Sequence, residues 1–134
     1  MKLAAALFAI GLVAPGAHAT ECAALTQFVI AGEYPEDATC STSRVLGGGQ
    51  SIDCYWTFAF RVDAARQEFS DLSELLRLCA DGEVTSEGAS VNHPDSYDQL
   101  TTQIAGRDVS LSLKDKGALN QTLIFLRAAT VPPE

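Results

Sequence analysis

Midway along the chain the repeat of apolar side chains changes from every second residue to every third or fourth. In SIDCYWTFAFRV (51–62), Trp56, Phe58, Phe60 and Val62 alternate with Tyr55, Thr57, Ala59 and Arg61. A period of two predicts a strand with one aromatic face for a core and one mixed face. Ala65, Phe69, Leu72, Leu76 and Cys79 then recur at helical spacing, with Arg66, Gln67, Asp71, Ser73, Glu74 and Arg77 between them. This predicts an amphipathic helix over 63–80, with Asp63 as its N-cap and Gly82 beyond its end.

The same reading extends in both directions. Thr20 is a suitable cap for a helix over 21–31, where Leu25, Phe28 and Val29 are spaced helically and Gly32 stands in the stop position. CSTSRVL (40–46), the glycines Gly47, Gly48 and Gly49, and the aromatic strand form a predicted hairpin. DGEVTSEGAS (81–90) has the composition of a polar loop. Tyr97, Leu100 and Ile104 suggest a short helix ended by Gly106. Val109, Leu111 and Leu113 alternate with Ser110, Ser112 and Lys114 as a half-buried strand, and a turn over 114–120 follows. QTLIFLRA (121–128) is apolar on both faces, as a central strand is, and 128–134 reads as a frayed tail.

These elements define one domain of α+β class. The expected architecture is a four-stranded antiparallel sheet with helices packed on one face, a two-layer sandwich.

The first nineteen residues are set apart from this pattern. Met1 and Lys2 precede an apolar run from Leu3 to Ala14; Pro15 and Gly16 follow, then Ala17-His18-Ala19. That order predicts a secretory signal peptide over 1–19, cleaved before Thr20, and an exported domain over 20–134, periplasmic or secreted. No later run approaches the ~18 apolar residues of a membrane span, so a soluble product is expected. Loss of the segment removes Lys2 and leaves eight basic against seventeen acidic side chains, a net charge of −9. Phosphate backbones and anionic lipid surfaces repel such a chain, which argues against nucleic-acid partners and electrostatic membrane docking.

Cys22, Cys40, Cys54 and Cys79 all fall in the exported part and predict two disulfides. No pair is spaced as CxxC, the spacing of a thioredoxin-like redox site or a zinc knuckle. A strand from Cys54 to Val62 advances roughly 27 to 30 Å, and a helix back to Cys79 returns roughly 25 Å. The near-cancellation favours Cys54–Cys79, leaving Cys22–Cys40; the runner-up is Cys40–Cys54 with Cys22–Cys79.

Candidate chemistry is sparse. His93 is the only histidine beyond residue 19, and Asp95 and Asp98 stand near it in SVNHPDSYDQL (90–100). A histidine with two carboxylates is the minimum for a general base or a partial metal site. Yet there is no GxSxG elbow, and Pro94 with Asp95 or Ser96 also suits a loop end and a helix cap. The triple glycine lacks the lysine and following helix of a P-loop. Glu33, Glu36 and Asp37 lack the spacing of a calcium loop. Neither a cofactor nor a metal is expected.

On the mixed face of the aromatic strand, Tyr55, Thr57 and Arg61, together with Arg127 on the last strand, form a candidate binding surface for a protein or small molecule. The expectation is therefore an exported binding or interaction protein of the cell envelope. The alternative is a small hydrolase or metal-dependent enzyme centred on His93.

Overall fold

The computed structural model describes residues 16–87 and 97–129. Two helices, α1 (Gly16–Ala31) and α2 (Asp63–Cys79), accompany six strands: β1 (Thr39–Arg44), β2 (Gln50–Ala59), β3 (Thr85–Glu87), β4 (Tyr97–Ile104), β5 (Arg107–Lys116) and β6 (Gln121–Ala129). The strands form one antiparallel sheet in the order β1-β2-β6-β5-β4-β3. The α+β class stands as expected, but the sheet has six strands where four were expected.

The pairing register explains where the core lies. Cys54 of β2 faces Leu126 of β6, Leu126 faces Leu111 of β5, and Leu111 faces Leu100 of β4. All four are buried, and the rows on either side run through Ile124 and Leu113 and through Ala128 and Val109. Leu25, Phe28 and Val29 of α1 and Ala65 and Leu76 of α2 close over this face as one cluster. Full burial of each large aliphatic side chain contributes ~1.5–3 kcal/mol. β6, apolar on both faces, takes the interior position its composition suggests.

Two local misreadings account for the extra strands. Residues 97–104 form β4 where a short helix was expected. Leu100, Thr102 and Ile104 point inward at strand spacing, but Thr102 is polar, so the period of two is hidden and Leu100 and Ile104 mimic a helical repeat. Thr102 is buried because its hydroxyl donates to Glu83 O at 3.0 Å. Gly106 ends no helix; with Ala105 it forms the two-residue turn between β4 and β5, at φ of 52° for Ala105 and 73° for Gly106. Both angles positive is the signature of a type I′ hairpin turn. The second misreading is the supposed polar loop, which contributes the short edge strand β3, paired with β4.

The helix ends also differ in detail. α1 runs through Thr20, which therefore lies inside the helix and not at its cap. Gly32 stops it as expected, at φ +70° with its N–H on Phe28 O at 3.1 Å. Arg107, entering β5, donates to the free carbonyls of Val29 and Ile30 at the C-terminal end of α1. A cation there also complements the helix dipole. In α2, Val62 is the cap position and makes no side-chain cap bond, while Asp63 sits in the first turn where a carboxylate suits the dipole.

Candidate functional site

Both disulfides form, but in the runner-up pairing. Cys40 bonds Cys54 with Cα atoms 4.1 Å apart, and Cys22 bonds Cys79 with Cα atoms 5.4 Å apart. The favoured Cys54–Cys79 and Cys22–Cys40 pairs are overturned for two reasons. The β1–β2 register sets Cys40 directly opposite Cys54. In addition, equal lengths of strand and helix say nothing about sideways displacement. Just beyond α2, Asp81 N–H donates to Gln103 O of β4 at 2.9 Å, and Ala105 N–H donates to the Asp81 carboxylate. The exit of α2 is thus tied to β4, three strands from β2, about 14 Å away at ~4.8 Å per strand. There Cys79 meets α1 instead.

The expected surface of Tyr55, Thr57, Arg61 and Arg127 divides in two. Tyr55, Thr57 and Arg127 lie on the face that the helices leave uncovered. Tyr55 packs on Phe125 with ring centroids 6.0 Å apart, and the Lys114 ammonium lies 5.2 Å from the Phe125 centroid. Arg127 pairs with Asp53 at 3.4 Å, and the Asp53 carboxylate also accepts from Ser51 Oγ at 3.0 Å. Ser51 in turn contacts Ser43 Oγ at 2.7 Å. The polar groups here largely satisfy one another.

Arg61 belongs to a different structure. It occupies the turn after β2 at φ 53°, and its backbone N–H donates to Thr122 Oγ1 at 2.8 Å. Its Nε donates to Asp115 Oδ2 at 3.2 Å, while Thr122 Oγ1 donates to Asp115 Oδ1 at 2.7 Å. Asp115 is 3% exposed and faces Thr122 on the helix-covered side. Arg61 therefore latches the β2–α2 turn to the sheet and does not share a surface with Tyr55.

Of the catalytic candidates, His93 and Asp95 lie outside the described residues. Asp98 is placed in β4 opposite Leu113, half-buried, in a cleft of about 240 Å³ that Phe69, Arg77 and Glu87 also line. The element that follows Pro94 and Asp95 is a strand, so the expected helix cap at Asp95 or Ser96 is not required. Among the described residues no three His, Cys, Asp or Glu side chains are gathered as metal ligands, and no helix is long and apolar enough to cross a membrane.

Among the described residues there is also a largely apolar concavity that the sequence does not announce. A groove of about 550 Å³ opens between the helices and the β1–β2 end of the sheet. Leu25 and Phe28 of α1 form one wall, Leu72 and Leu75 of α2 the other, and Trp56 and Leu126 the floor. The segment 33–36 after α1 forms the lip, held by Trp56 Nε1–H donating to Glu36 O at 3.2 Å. The spacing along the chain places Leu25, Phe28 and Leu72 in the core and leaves Leu75 outside the helical stripe; Leu25 and Phe28 belong to the buried cluster, and Leu72 and Leu75 pack against it. The incomplete burial of Leu72, Leu75 and Trp56, which no local pattern encodes, is what leaves the groove.

No protein-family model matches the chain, and no curated protein matches it. The crystal structure of CalU16 from Micromonospora echinospora aligns with 17% identity over 71% of this chain and 70% of its own, at a TM-score of 0.37. That likeness is too loose to assign a fold.

Proposed function

We propose that this chain is an exported, disulfide-bonded binding protein whose ligand sits in the groove between α1, α2 and β2. The observation that carries the reading is the groove itself: about 550 Å³, walled by Leu25, Phe28, Leu72 and Leu75 and floored by Trp56 and Leu126. Small-molecule sites are concavities of roughly 300–1,000 Å³, mostly apolar with a few polar groups at fixed places. The uncovered sheet face is a poorer candidate, because Asp53, Arg127, Ser51 and Lys114 already engage partners there. Export, to the periplasm or beyond the cell, is supported by the signal-like segment 1–19 and by two disulfides in a chain of 134 residues.

Trp56, the only tryptophan in the chain, reports on the site directly. Titration with a neutral apolar fluorophore such as N-phenyl-1-naphthylamine is expected to give saturable energy transfer from Trp56. Leu75→Arg, which places a charge in the wall, abolishes the transfer, while Thr57→Arg on the uncovered face leaves it intact. Absence of saturable transfer, or its loss in Thr57→Arg alone, overturns the reading. Amino-terminal sequencing of the exported product tests the other half, with Thr20 expected as the first residue.

A further inference from the structure

We propose that the groove takes a small cationic amphiphile, an apolar chain or ring system ending in a protonated or quaternary amine. The inference rests on the groove being a ligand site and adds the chemistry of its occupant. Among the described residues, the charged side chains that line the groove are Glu21, Glu33 and Glu36. Glu33 and Glu36 are exposed on the lip, on either side of Tyr34 and Pro35. Tyr34 is 55% exposed although it borders an apolar cleft, and Trp56 lies beneath the lip with its indole N–H on Glu36 O. Two aromatic rings beside two carboxylates form the environment that attracts an organic cation, by ring quadrupole and by charge. The apolar part of such a ligand has its counterpart deeper in, where Phe28, Leu72 and Leu75 face one another across the cleft.

Size and charge narrow the choice further. A volume of about 550 Å³ accommodates a single alkyl chain or fused rings, whereas a folded helix of several turns does not fit within it. The net charge, −9 once the segment 1–19 is lost, adds a long-range field that draws cations and repels anionic amphiphiles. An anionic head at the lip would meet Glu33 and Glu36 at close range without a basic side chain in the lining to receive it.

The test compares three single-chain amphiphiles below their micelle concentrations, read by Trp56 fluorescence: dodecyltrimethylammonium, dodecyl maltoside and dodecyl sulfate. The expected order is cation, then neutral, then anion, with the cation favoured over the neutral ligand by about 10-fold at low salt. A Glu33→Gln, Glu36→Gln double variant, altered only at exposed positions, is expected to bind the neutral ligand as before and to lose most of the cation preference. Equal affinity for cation and neutral ligand overturns the cationic assignment while leaving the groove reading in place. A preference that persists in the double variant overturns it too, because the field would then come from the whole chain and not from the lip. Binding of none of the three removes both readings together.

Discussion

The two faces of the sheet use the same alternating pattern to different ends. On the covered face, Cys54, Leu126, Leu111 and Leu100 run unbroken across four strands, and the polar side chains there are tied, Asp115 by Thr122 and Arg61 and Thr102 by Glu83 O. On the uncovered face, aromatic and aliphatic side chains are interrupted by Asp53, Arg127, Lys114 and Ser110, and Tyr55 stays 38% exposed. The difference shows that alternation assigns side chains to faces but does not by itself say which face is dry. The helices decide that, and they are held where they are by Arg107 on α1, Asp81 beyond α2, and the Cys22–Cys79 bridge between them.

If the covered face depends on the helix layer being tied down, the two disulfides should differ in weight. Cys22–Cys79 closes a separation of 57 residues and joins helix to helix, while Cys40–Cys54 closes 14 within one hairpin. Replacing Cys22 and Cys79 by serine should cost about 4 kcal/mol, and the same change at Cys40 and Cys54 about 3 kcal/mol, by the loop-closure argument. Urea unfolding of the two double variants checks the ranking, and a reversed order would show that native packing outweighs chain entropy here. The next contrast sets Leu111 of the covered face against Leu123 of the other. Leu111→Ala should lose about 2–5 kcal/mol, and Leu123→Ala, half-buried, clearly less. Equal losses would mean that the uncovered face is drier than its exposure indicates.

The smallest contrast concerns the two carboxylates. Asp115→Ala leaves the Thr122 hydroxyl and the latch on Arg61 without their acceptor in a buried place, at a cost of about 1–3 kcal/mol. Asp53→Ala removes a half-exposed pair with Arg127 and should cost under about 1 kcal/mol. The same unfolding measurement decides. A larger loss at Asp53 would make the Ser43–Ser51–Asp53–Arg127 network the chief polar tie of the sheet, contrary to the present comparison.

Legibility in the sequence tracks how far each signal is local. Trp56 and Phe58 against Tyr55 and Thr57, and Ala65 through Cys79, are periodic over enough residues to be read without a partner. The glycine stop at Gly32 and the hairpin around Gly47–Gly49 are chain-local too. β4 was misread because inward Thr102 has its polar group satisfied by Glu83, nineteen residues away, and that bond is invisible to a pattern. The face assignment of Arg61 failed because the strand ends at Ala59 and the positive φ at Arg61 turns the next residues out of the alternation. The groove is illegible for a related reason: Leu72 and Trp56 have the spacing of core residues, and only the placement of the helices over the sheet shows that they are not fully closed over.

By itself, the sequence determined the α+β class, the strand–helix alternation in the middle of the chain, the interior place of β6 and the existence of two disulfides. These follow from periodicity, apolar content and cysteine count, which are properties of neighbouring residues. Tertiary structure alone decided the cysteine pairing, the sixfold sheet, the latch of Arg61 on Asp115 and the groove with its glutamate lip. Each of those depends on the lateral placement of elements far apart in the chain, a displacement that residue spacing along one strand or helix does not record.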